Sequence, residues 1–167
     1  IEVLKNLLTQ VNEIREKSNF NKSFLLKISP DLEDSYIPGI IELILSHNID
    51  GIILTNTTDR NREDLLDEKK NEIGGLSGKP LRNLSTEFIK KFYVELKGKM
   101  PIIGVGGVDS GKSAFDKFAA GASAVQLYTG MIYKGPTIVK QIKKDLIGIL
   151  KEKGFKNITE AVGSDLN

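Results

Sequence analysis

The chain has 167 residues, of which 40% are hydrophobic and 28% are charged, and its formal net charge at pH 7 is +2. This composition is typical of a soluble globular domain and argues against a disordered chain. Because basic and acidic residues are interleaved along the chain, the small net charge does not indicate nucleic acid or an anionic membrane surface as a partner. The absence of cysteine excludes disulfides, thiolate metal sites and a cysteine nucleophile within these residues.

Predicted helices and strands alternate along the chain. Apolar residues at steps of three and four predict amphipathic helices, and short apolar runs bounded by polar or turn residues predict buried strands. The predicted helices are residues 1–17, 34–48, 85–98, 112–119 and 137–153. The predicted strands are residues 24–28, 50–55, 101–105 and 123–129, and a polar link is predicted at 18–22. Because the first helical pattern begins at Ile1 without an initiator methionine, we expect the chain to have been cut from a longer polypeptide.

Two residues with titratable side chains stand out in the first half of the chain. Lys27 lies within an apolar strand, where an unpaired ammonium group is costly, so we expect it to point at an anion or an electron-rich group. The alternative is a lysine at a strand end that reaches solvent. His47 falls in the last turn of a predicted helix, where it complements the helix dipole, and we do not assign it to a site.

Polar and glycine-rich segments follow the second predicted strand. The segment 56–58 (Asn-Thr-Thr) supplies amide and hydroxyl groups for hydrogen bonds to a polar ligand, or else forms an ordinary polar turn. Segment 59–71 is highly charged and has no clear period, which predicts a solvated loop over the site, either irregular throughout or with one helical turn. Segment 74–78 has three glycines in five residues and predicts either a tight turn or a backbone laid against a ligand.

The pattern is organised around residues 101–111. A strand predicted to be buried on both faces leads into Gly106 and Gly107, which allow the backbone to approach a bulky group. Ser110 is the predicted N-cap of the following helix, whose free N–H groups and dipole favour an anion such as a phosphate. Strand 123–129 repeats this arrangement, so we expect two successive strands to end beside one pocket.

The alternation of strands and helices predicts a parallel α/β fold with its ligands at the carboxyl ends of the strands. Both eight-stranded barrels and open doubly wound sheets place ligands there, and the paired phosphate-type strands near the chain end favour the barrel. Four strands alone leave edges and an apolar inner face uncovered. We therefore expect the first four strands of the barrel to lie on another segment or chain, with association of two half-barrels as the alternative.

Five motifs occur in the same order as in one known family. They are LKISPD (26–31), TNTT (55–58), GGLSGKPLR (74–82), IIGVGGV (102–108) and GASAVQLYT (121–129). Together they resemble the C-terminal half of dihydroorotate dehydrogenase, and the resemblance runs from about residue 24 to residue 163. The Lys-Pro pair after Gly-Leu-Ser-Gly is more similar to the membrane-associated, quinone-using class 2 than to the soluble class 1.

The resemblance implies a (β/α)8 TIM barrel, of which residues 1–167 supply about the last four β/α units and the C-terminal half of one domain. It implies an FMN enzyme that oxidises dihydroorotate to orotate in pyrimidine biosynthesis and passes the electrons to a quinone. It also implies association with the mitochondrial inner membrane in a eukaryote, or with the cytoplasmic membrane in a bacterium. The membrane contact and the quinone tunnel belong, in this class, to N-terminal helices that these residues do not include.

The resemblance further implies roles for individual residues. Those assigned to the cofactor are Lys27, Thr55, Gly78, Gly106, Gly107, Tyr128 and Thr129, and those assigned to the substrate are Asn56 and Thr57. Gly78, Gly107 and the Tyr128-Thr129 pair hold the phosphate region, largely through main-chain N–H groups, with Gly106 and Ser77 as outer neighbours. Lys27 and Thr55 contact the flavin ring, where Lys27 stabilises negative charge at the N1–C2=O edge. The class 2 base is a serine in an upstream motif, so no catalytic base is assigned here.

Two other functions remain open from the sequence. One is a different FMN-binding barrel reductase, of the dihydrouridine or dihydropyrimidine type, whose phosphate loops are related. The Asn56-Thr57 pair and the Leu-Ser-Gly-Lys-Pro segment favour dihydroorotate instead. The other is a non-catalytic phosphate-binding half-barrel, which the missing upstream base supports.

Overall fold

A computed structural model describes residues 1–18, 22–60 and 62–166. Four strands form one parallel sheet in which each strand pairs with the next along the chain. The strands are β1 (Leu25–Ile28), β2 (Gly51–Leu54), β3 (Ile102–Val105) and β4 (Ala124–Gln126). Helical crossovers between parallel neighbours confirm the predicted parallel α/β architecture. Residues 19–21 of the polar link predicted at 18–22 lie outside the described residues.

The helices of the described residues are α1 (Glu2–Lys17), α2 (Ile37–Ser46), α3 (Arg82–Leu96), α4 (Gly111–Ala119), α5 (Thr129–Lys134), α6 (Ile138–Glu152) and α7 (Ile158–Ala161). Short 3-10 turns occupy Asp34–Tyr36, Glu68–Asn71, Lys79–Leu81 and Ser164–Leu166. No helix in this part of the chain has both the length and the apolar character that a membrane crossing requires.

One face of the sheet forms the hydrophobic core with the helices. Side chains alternate between the two faces of a strand, and the parallel register puts Ile52 beside Leu26 and Ile102. Ile52, Leu54 and Ile102 are fully buried and pack in a cluster with apolar residues of α1, α2 and α3. Burial of this face fixes the register of the strands, because a slip by one residue would turn the apolar set to solvent.

The opposite face, which we call the inner face, is open. It carries Lys27, Ile53, Ile103 and Ala124, which lie side by side in the register of the four strands. Ile53 and Ile103 are half-buried, and Lys27 and Ala124 are exposed. Four strands therefore leave an apolar surface uncovered within the described part of the chain, as expected from the sequence.

The third helix begins earlier than predicted. The expected start at Ser85 is wrong, because the 3-10 turn Lys79–Leu81 leads directly into α3 at Arg82. Ser85 lies in the first turns of this helix, fully buried, where its hydroxyl donates a hydrogen bond to the Val105 carbonyl. Its role is thus to tie α3 to the end of β3 rather than to cap the helix.

The last strand is shorter than predicted. The expected strand 123–129 ends at Gln126, and the short helix α5 begins at Thr129, which the sequence did not indicate. The register explains the difference, because Gln126 pairs with Val105, the last residue of β3. Beyond it, Gly106 turns away with a φ of 122°, so the residues after Gln126 have no strand beside them to pair with.

Candidate functional site

The carboxyl ends of the strands surround a cavity of about 810 Å³. Segments following β2, β3 and β4 line it together with Lys27 of β1. The sheet brings together at this cavity all the residues predicted for the cofactor and the substrate: Lys27, Thr55, Asn56, Thr57, Gly78, Gly106, Gly107, Tyr128 and Thr129. This is the edge at which parallel α/β folds place their ligands. The cavity lies within the size range of sites for small molecules and cofactors, about 300–1,000 Å³.

Lys27 lines the cavity from the inner face. It lies in register with Ile53 of β2, and its side chain is exposed. The inner face around it is open among the described residues, so the cost of burying an unpaired ammonium group does not arise there, and an anionic or electron-rich partner for Lys27 stays a prediction. The second alternative, a lysine that reaches solvent, fits its exposure. Its place in the cavity lining nevertheless gives this side of the site a cation.

The turn after β2 is held by both neighbouring strands. Thr55 is fully buried, and its N–H donates to the Val105 carbonyl over 3.1 Å. The N–H of Asn56 donates to the Ile28 carbonyl over 2.9 Å. These backbone bonds leave the side chains of Asn56 and Thr57 exposed at the cavity.

The glycine-rich segment 74–78 lies against this turn. Thr58 and Leu76 exchange backbone hydrogen bonds of 3.1 Å and 2.7 Å in an antiparallel bridge. At Gly75 a Cβ atom would overlap the side chain of Thr57. The backbone of the segment therefore packs against the turn after β2, and its contact with a ligand stays a prediction. After Thr57 the cavity lining resumes at Gly75, so the charged segment 59–71 is outside the lining among the described residues.

Thr58, the last residue of the predicted Asn-Thr-Thr segment, and Asp31, to which the sequence analysis gave no role, hold the turn in place. Thr58 is fully buried and donates its hydroxyl proton to Asp31, whose other carboxylate oxygen accepts the Asp59 N–H over 2.8 Å. Asp31 follows β1, so this contact joins the ends of β1 and β2. The signal available in the sequence was Asp31 itself, which closes the LKISPD motif.

The loop after β3, residues 106–109, is the glycine loop of the site. Gly106 and Gly107 are buried and have φ values of 122° and 70°, which favour glycine. Within the described part of the chain, the N–H groups of Gly107 and Val108 form no backbone hydrogen bonds. Unpaired N–H groups at a cavity are suited to binding an anion.

The helix that begins at the cavity is α5 rather than α4. Ser110 is the N-cap of α4, as predicted, and it forms a reciprocal capping box with Ser113. The anion site expected at this helix is wrong for the described residues, because the residues of its first turn, Ser110 to Ser113, are not part of the cavity lining, and the capping box already binds the N–H groups of Ser110 and Ser113. Instead Tyr128 and Thr129 line the cavity where α5 begins, although Tyr128 is 78% exposed.

Thr129 also links the last two loops of the site. Its hydroxyl lies 2.9 Å from the hydroxyl of Ser77. A Cβ atom at Gly78 would lie 2.9 Å from its methyl carbon. Gly78 has a φ of 76°, so both its conformation and the lack of space favour glycine. The segment 74–78 therefore contacts the turn after β2 at one end and α5 at the other.

Behind the glycine loop lies a group of charged residues that the sequence analysis missed. Arg82 donates from Nε to the Gly107 carbonyl over 2.9 Å and from its guanidinium to Asp109 over 2.5 Å. Lys117 is fully buried and donates to the Arg82 carbonyl over 2.8 Å and to the Thr86 hydroxyl over 2.7 Å. Burial lowers the pKa of Lys117 to about 7, and the charge of Arg82 acts in the same direction.

Comparison with known proteins gives a consistent result. A protein-family model described as dihydroorotate dehydrogenase matches residues 2–150. Dihydroorotate dehydrogenase (quinone) of Trichodesmium erythraeum is 48% identical over 165 residues, covering 93% of this chain and 43% of that protein. The mitochondrial dihydroorotate dehydrogenase (quinone) of Mus musculus is 44% identical over 164 residues, covering 97% of this chain and 42% of that protein.

Solved structures agree with the sequence relatives. The crystal structure of a ligand-free dihydroorotate dehydrogenase from Eimeria tenella matches with a TM-score of 0.82 and 41% sequence identity. It covers 86% of this chain and 40% of that one, so the chain spans less than half the length of the relatives named here. The match confirms the predicted fold, a partial (β/α)8 barrel that contributes four parallel strands.

Proposed function

The chain belongs to the dihydroorotate dehydrogenase family, and from this premise we propose that it forms the C-terminal half of an FMN-dependent barrel that oxidises dihydroorotate to orotate. In this proposal the electrons pass to a quinone, the acceptor that the relatives carry in their names. The observation that carries it is the convergence of the glycine loop, the Asn56-Thr57 turn and Lys27 on one cavity. The first four strands, and the serine base, belong to the other half of the barrel.

The residues at the glycine loop fit the phosphate group of FMN. A Cβ atom at Gly107 would lie 2.5 Å from the Cβ of Arg82, so only glycine keeps the loop this close to α3. The N–H groups of Gly107 and Val108 point to an anionic ligand, since the described residues offer them no backbone acceptor. We assign the phosphate to these groups and to the backbone of Gly78, Tyr128 and Thr129, with Gly106 providing the turn.

The ring of the cofactor would lie between the phosphate region and Lys27. Bound FMN supplies two-electron chemistry, taking a hydride equivalent from the substrate and passing electrons on to the acceptor. The ammonium group of Lys27 stabilises negative charge at the N1–C2=O edge of the ring, and its effect grows when the rest of the barrel excludes water from the inner face. Thr55, which follows β2 and lines the cavity, would contact the ring.

Asn56 and Thr57 would bind the substrate. An asparagine amide offers both donors and an acceptor, and a threonine hydroxyl can act as either. This set matches the alternating N–H and C=O groups of a pyrimidine ring and the carboxylate of orotate. Both side chains are exposed at the cavity while their backbone is fixed by β1 and the 74–78 segment.

The location of the protein follows from the same proposal. Its quinone would be a membrane quinone, so the whole protein would contact a membrane through helices outside these residues. The membrane is the mitochondrial inner membrane in a eukaryote and the cytoplasmic membrane in a bacterium. Relatives named as mitochondrial occur in Mus musculus and Arabidopsis thaliana.

The role of Lys27 is tested by replacing it in the protein that carries this chain. Lys27→Ala is expected to slow reduction of the bound flavin by dihydroorotate by about 10²- to 10³-fold, the usual effect of removing one group that stabilises developing charge. Stopped-flow absorbance of the flavin measures the rate. The matched control is Lys22→Ala, an exposed lysine three residues before β1. Flavin reduction at the wild-type rate in Lys27→Ala would reject the role.

The choice of substrate is tested by titrating the flavin-loaded protein with orotate. We expect orotate to shift the flavin spectrum, and Asn56→Ala to weaken that binding by about tenfold or more through loss of hydrogen bonds. If orotate leaves the spectrum unchanged while a dihydrouridine or dihydropyrimidine substrate reduces the flavin, the other FMN-barrel reductases replace this proposal.

A further inference from the structure

We propose that Arg82 is the positioning residue of the glycine loop, and that it sets the affinity for the cofactor's phosphate group without touching it. The inference rests on the proposed function and deepens it, because it assigns phosphate affinity to a contact behind the site. Four observations on the position, charge and packing of Arg82 carry it.

Arg82 holds the glycine loop at two points. Its Nε donates to the Gly107 carbonyl over 2.9 Å, and a terminal nitrogen donates to Asp109 over 2.5 Å. These two acceptors lie on either side of Val108, so one planar guanidinium fixes the direction of the backbone between them. With the Gly107 carbonyl turned back to Arg82, the Val108 N–H of the same trans peptide points away from Arg82. A lysine has no such fork and cannot hold both points in one geometry.

The backbone of Arg82 also limits where the loop can lie. A Cβ atom at Gly107 would meet the Cα of Arg82 at 2.8 Å and its backbone nitrogen at 3.0 Å. The first residue of α3 is thus the surface on which the glycine loop rests. Side chain and backbone of one residue together define the position of the loop.

The charge of Arg82 is not available to the phosphate. Its guanidinium is paired with the Asp109 carboxylate, and Lys134 approaches the same carboxylate at 3.9 Å. Among the described residues Arg82 is not part of the cavity lining, whereas Gly107 and Asp109 are. The arginine therefore acts through the loop and not as a cation on the ligand.

Arg82 is itself held from behind by a buried residue. Lys117 of α4 donates to the Arg82 carbonyl over 2.8 Å and to the Thr86 hydroxyl over 2.7 Å. Lys117 is fully buried. The first turn of α3 is thereby tied to α4. Arg82 and the amino end of α3 therefore cannot move together away from the glycine loop.

The test compares two ligands that differ only in the phosphate group. Dissociation constants for FMN and riboflavin are measured by flavin fluorescence on the flavin-free form of the protein that carries this chain. We expect Arg82→Lys to weaken FMN binding by about 10- to 100-fold, the range for losing a hydrogen bond to a charged group. Riboflavin binding should change by less than about threefold, because the loop does not hold the ring.

The matched control is Arg15→Lys. Arg15 also donates to two backbone carbonyls, of Asn48 and Lys22, and pairs with a carboxylate, Asp50, at 3.3 Å. Its side chain is 20% exposed, against 25% for Arg82. It lies near the amino ends of the strands and should leave the ratio of the FMN and riboflavin constants unchanged. If Arg82→Lys does not fold, Lys117→Met serves as the second variant. It is expected to weaken FMN binding by less than Arg82→Lys does and to leave riboflavin binding unchanged.

The outcomes distinguish failure of the positioning role of Arg82 from failure of the proposed function. If Arg82→Lys leaves the dissociation constant for FMN unchanged, or weakens the binding of FMN and riboflavin equally, the positioning role alone is overturned. Loss of FMN affinity in Arg82→Gln but not in Arg82→Lys also overturns it, since that result assigns the effect to charge. A wild-type protein that binds neither flavin overturns the proposed function, and the positioning role with it.

Discussion

At the scale of single residues, Lys117 is the most unusual side chain of the chain. Among the described residues its ammonium group donates to two oxygen acceptors, the Arg82 carbonyl and the Thr86 hydroxyl. Burial lowers its pKa to about 7, far below the value of about 10.4 for an exposed lysine. The folded protein therefore releases this proton at a lower pH than the unfolded chain does.

This difference predicts how stability depends on pH. Below about pH 7 Lys117 is charged in both states, and the full cost of burying the charge is present. Between about pH 7 and about pH 10 the unfolded chain holds more protons, so this residue makes the free energy of unfolding rise with pH. Denaturant unfolding at several pH values should show a flatter profile for Lys117→Met than for the wild type. Parallel profiles would contradict the lowered pKa.

Gly75 gives a second prediction at this scale. A methyl group at this position would overlap the Thr57 side chain. Gly75→Ala should therefore weaken orotate binding by about tenfold, because Thr57 or the segment 74–78 must move, and it should leave FMN binding unchanged. The control is Gly148→Ala in α6, where a Cβ atom meets nothing within 4 Å. If Gly75→Ala leaves the dissociation constant for orotate unchanged, orotate binding does not depend on the present position of Thr57.

At the scale of elements, the site depends on contacts between loops that belong to different strands. The carboxylate of Asp31, after β1, accepts bonds from the Thr58 hydroxyl and the Asp59 N–H after β2. Thr58 in turn exchanges backbone bonds with Leu76. The substrate turn is thus connected to β1 on one side and to the glycine-rich segment on the other.

We expect Asp31→Ala to weaken orotate binding by about tenfold, because the buried Thr58 hydroxyl loses its acceptor. The control is Asp34→Ala, which removes an exposed pair with Lys91 and should have little effect. Isothermal titration with orotate measures both variants. Equal dissociation constants for orotate in Asp31→Ala and the wild type would mean that the turn after β2 holds its shape without this carboxylate.

The elements also show what the sequence could and could not predict. Hydrophobic periodicity and capping patterns are local in sequence, and they predict the alternation of helices and strands and the Ser110 cap. Parallel strand pairing is a matter of topology, and it predicts that Lys27 and Gly107 lie at the same edge of the sheet. The start of α3 and the presence of α5 depend on partners distant in sequence, such as Val105 for Ser85. Arg82 and Lys117 were missed for the same reason, because their acceptors lie on other elements.

At the scale of the whole molecule, the open inner face determines how this half behaves. Ile53 and Ile103 are only half-buried by the described residues, and β1 and β4 are edge strands of the described sheet. We propose that four further strands cover this face and close the barrel. Expressed by itself, the chain is expected to bind a hydrophobic dye and to self-associate in light scattering, because exposed apolar sheet surface and free edges promote pairing. A monomer without dye binding would contradict this expectation.

The central claim is that the glycine loop and the start of α5 bind one phosphate group while the flavin ring lies beside Lys27. A crystal structure of the protein that carries this chain, with FMN and orotate bound, tests it most directly. We predict phosphate oxygens within hydrogen-bond distance of the Gly107 and Thr129 backbone nitrogens and the Lys27 ammonium group at the N1–C2=O edge of the ring. A phosphate bound elsewhere, or a Lys27 side chain directed away from the flavin, would contradict the claim.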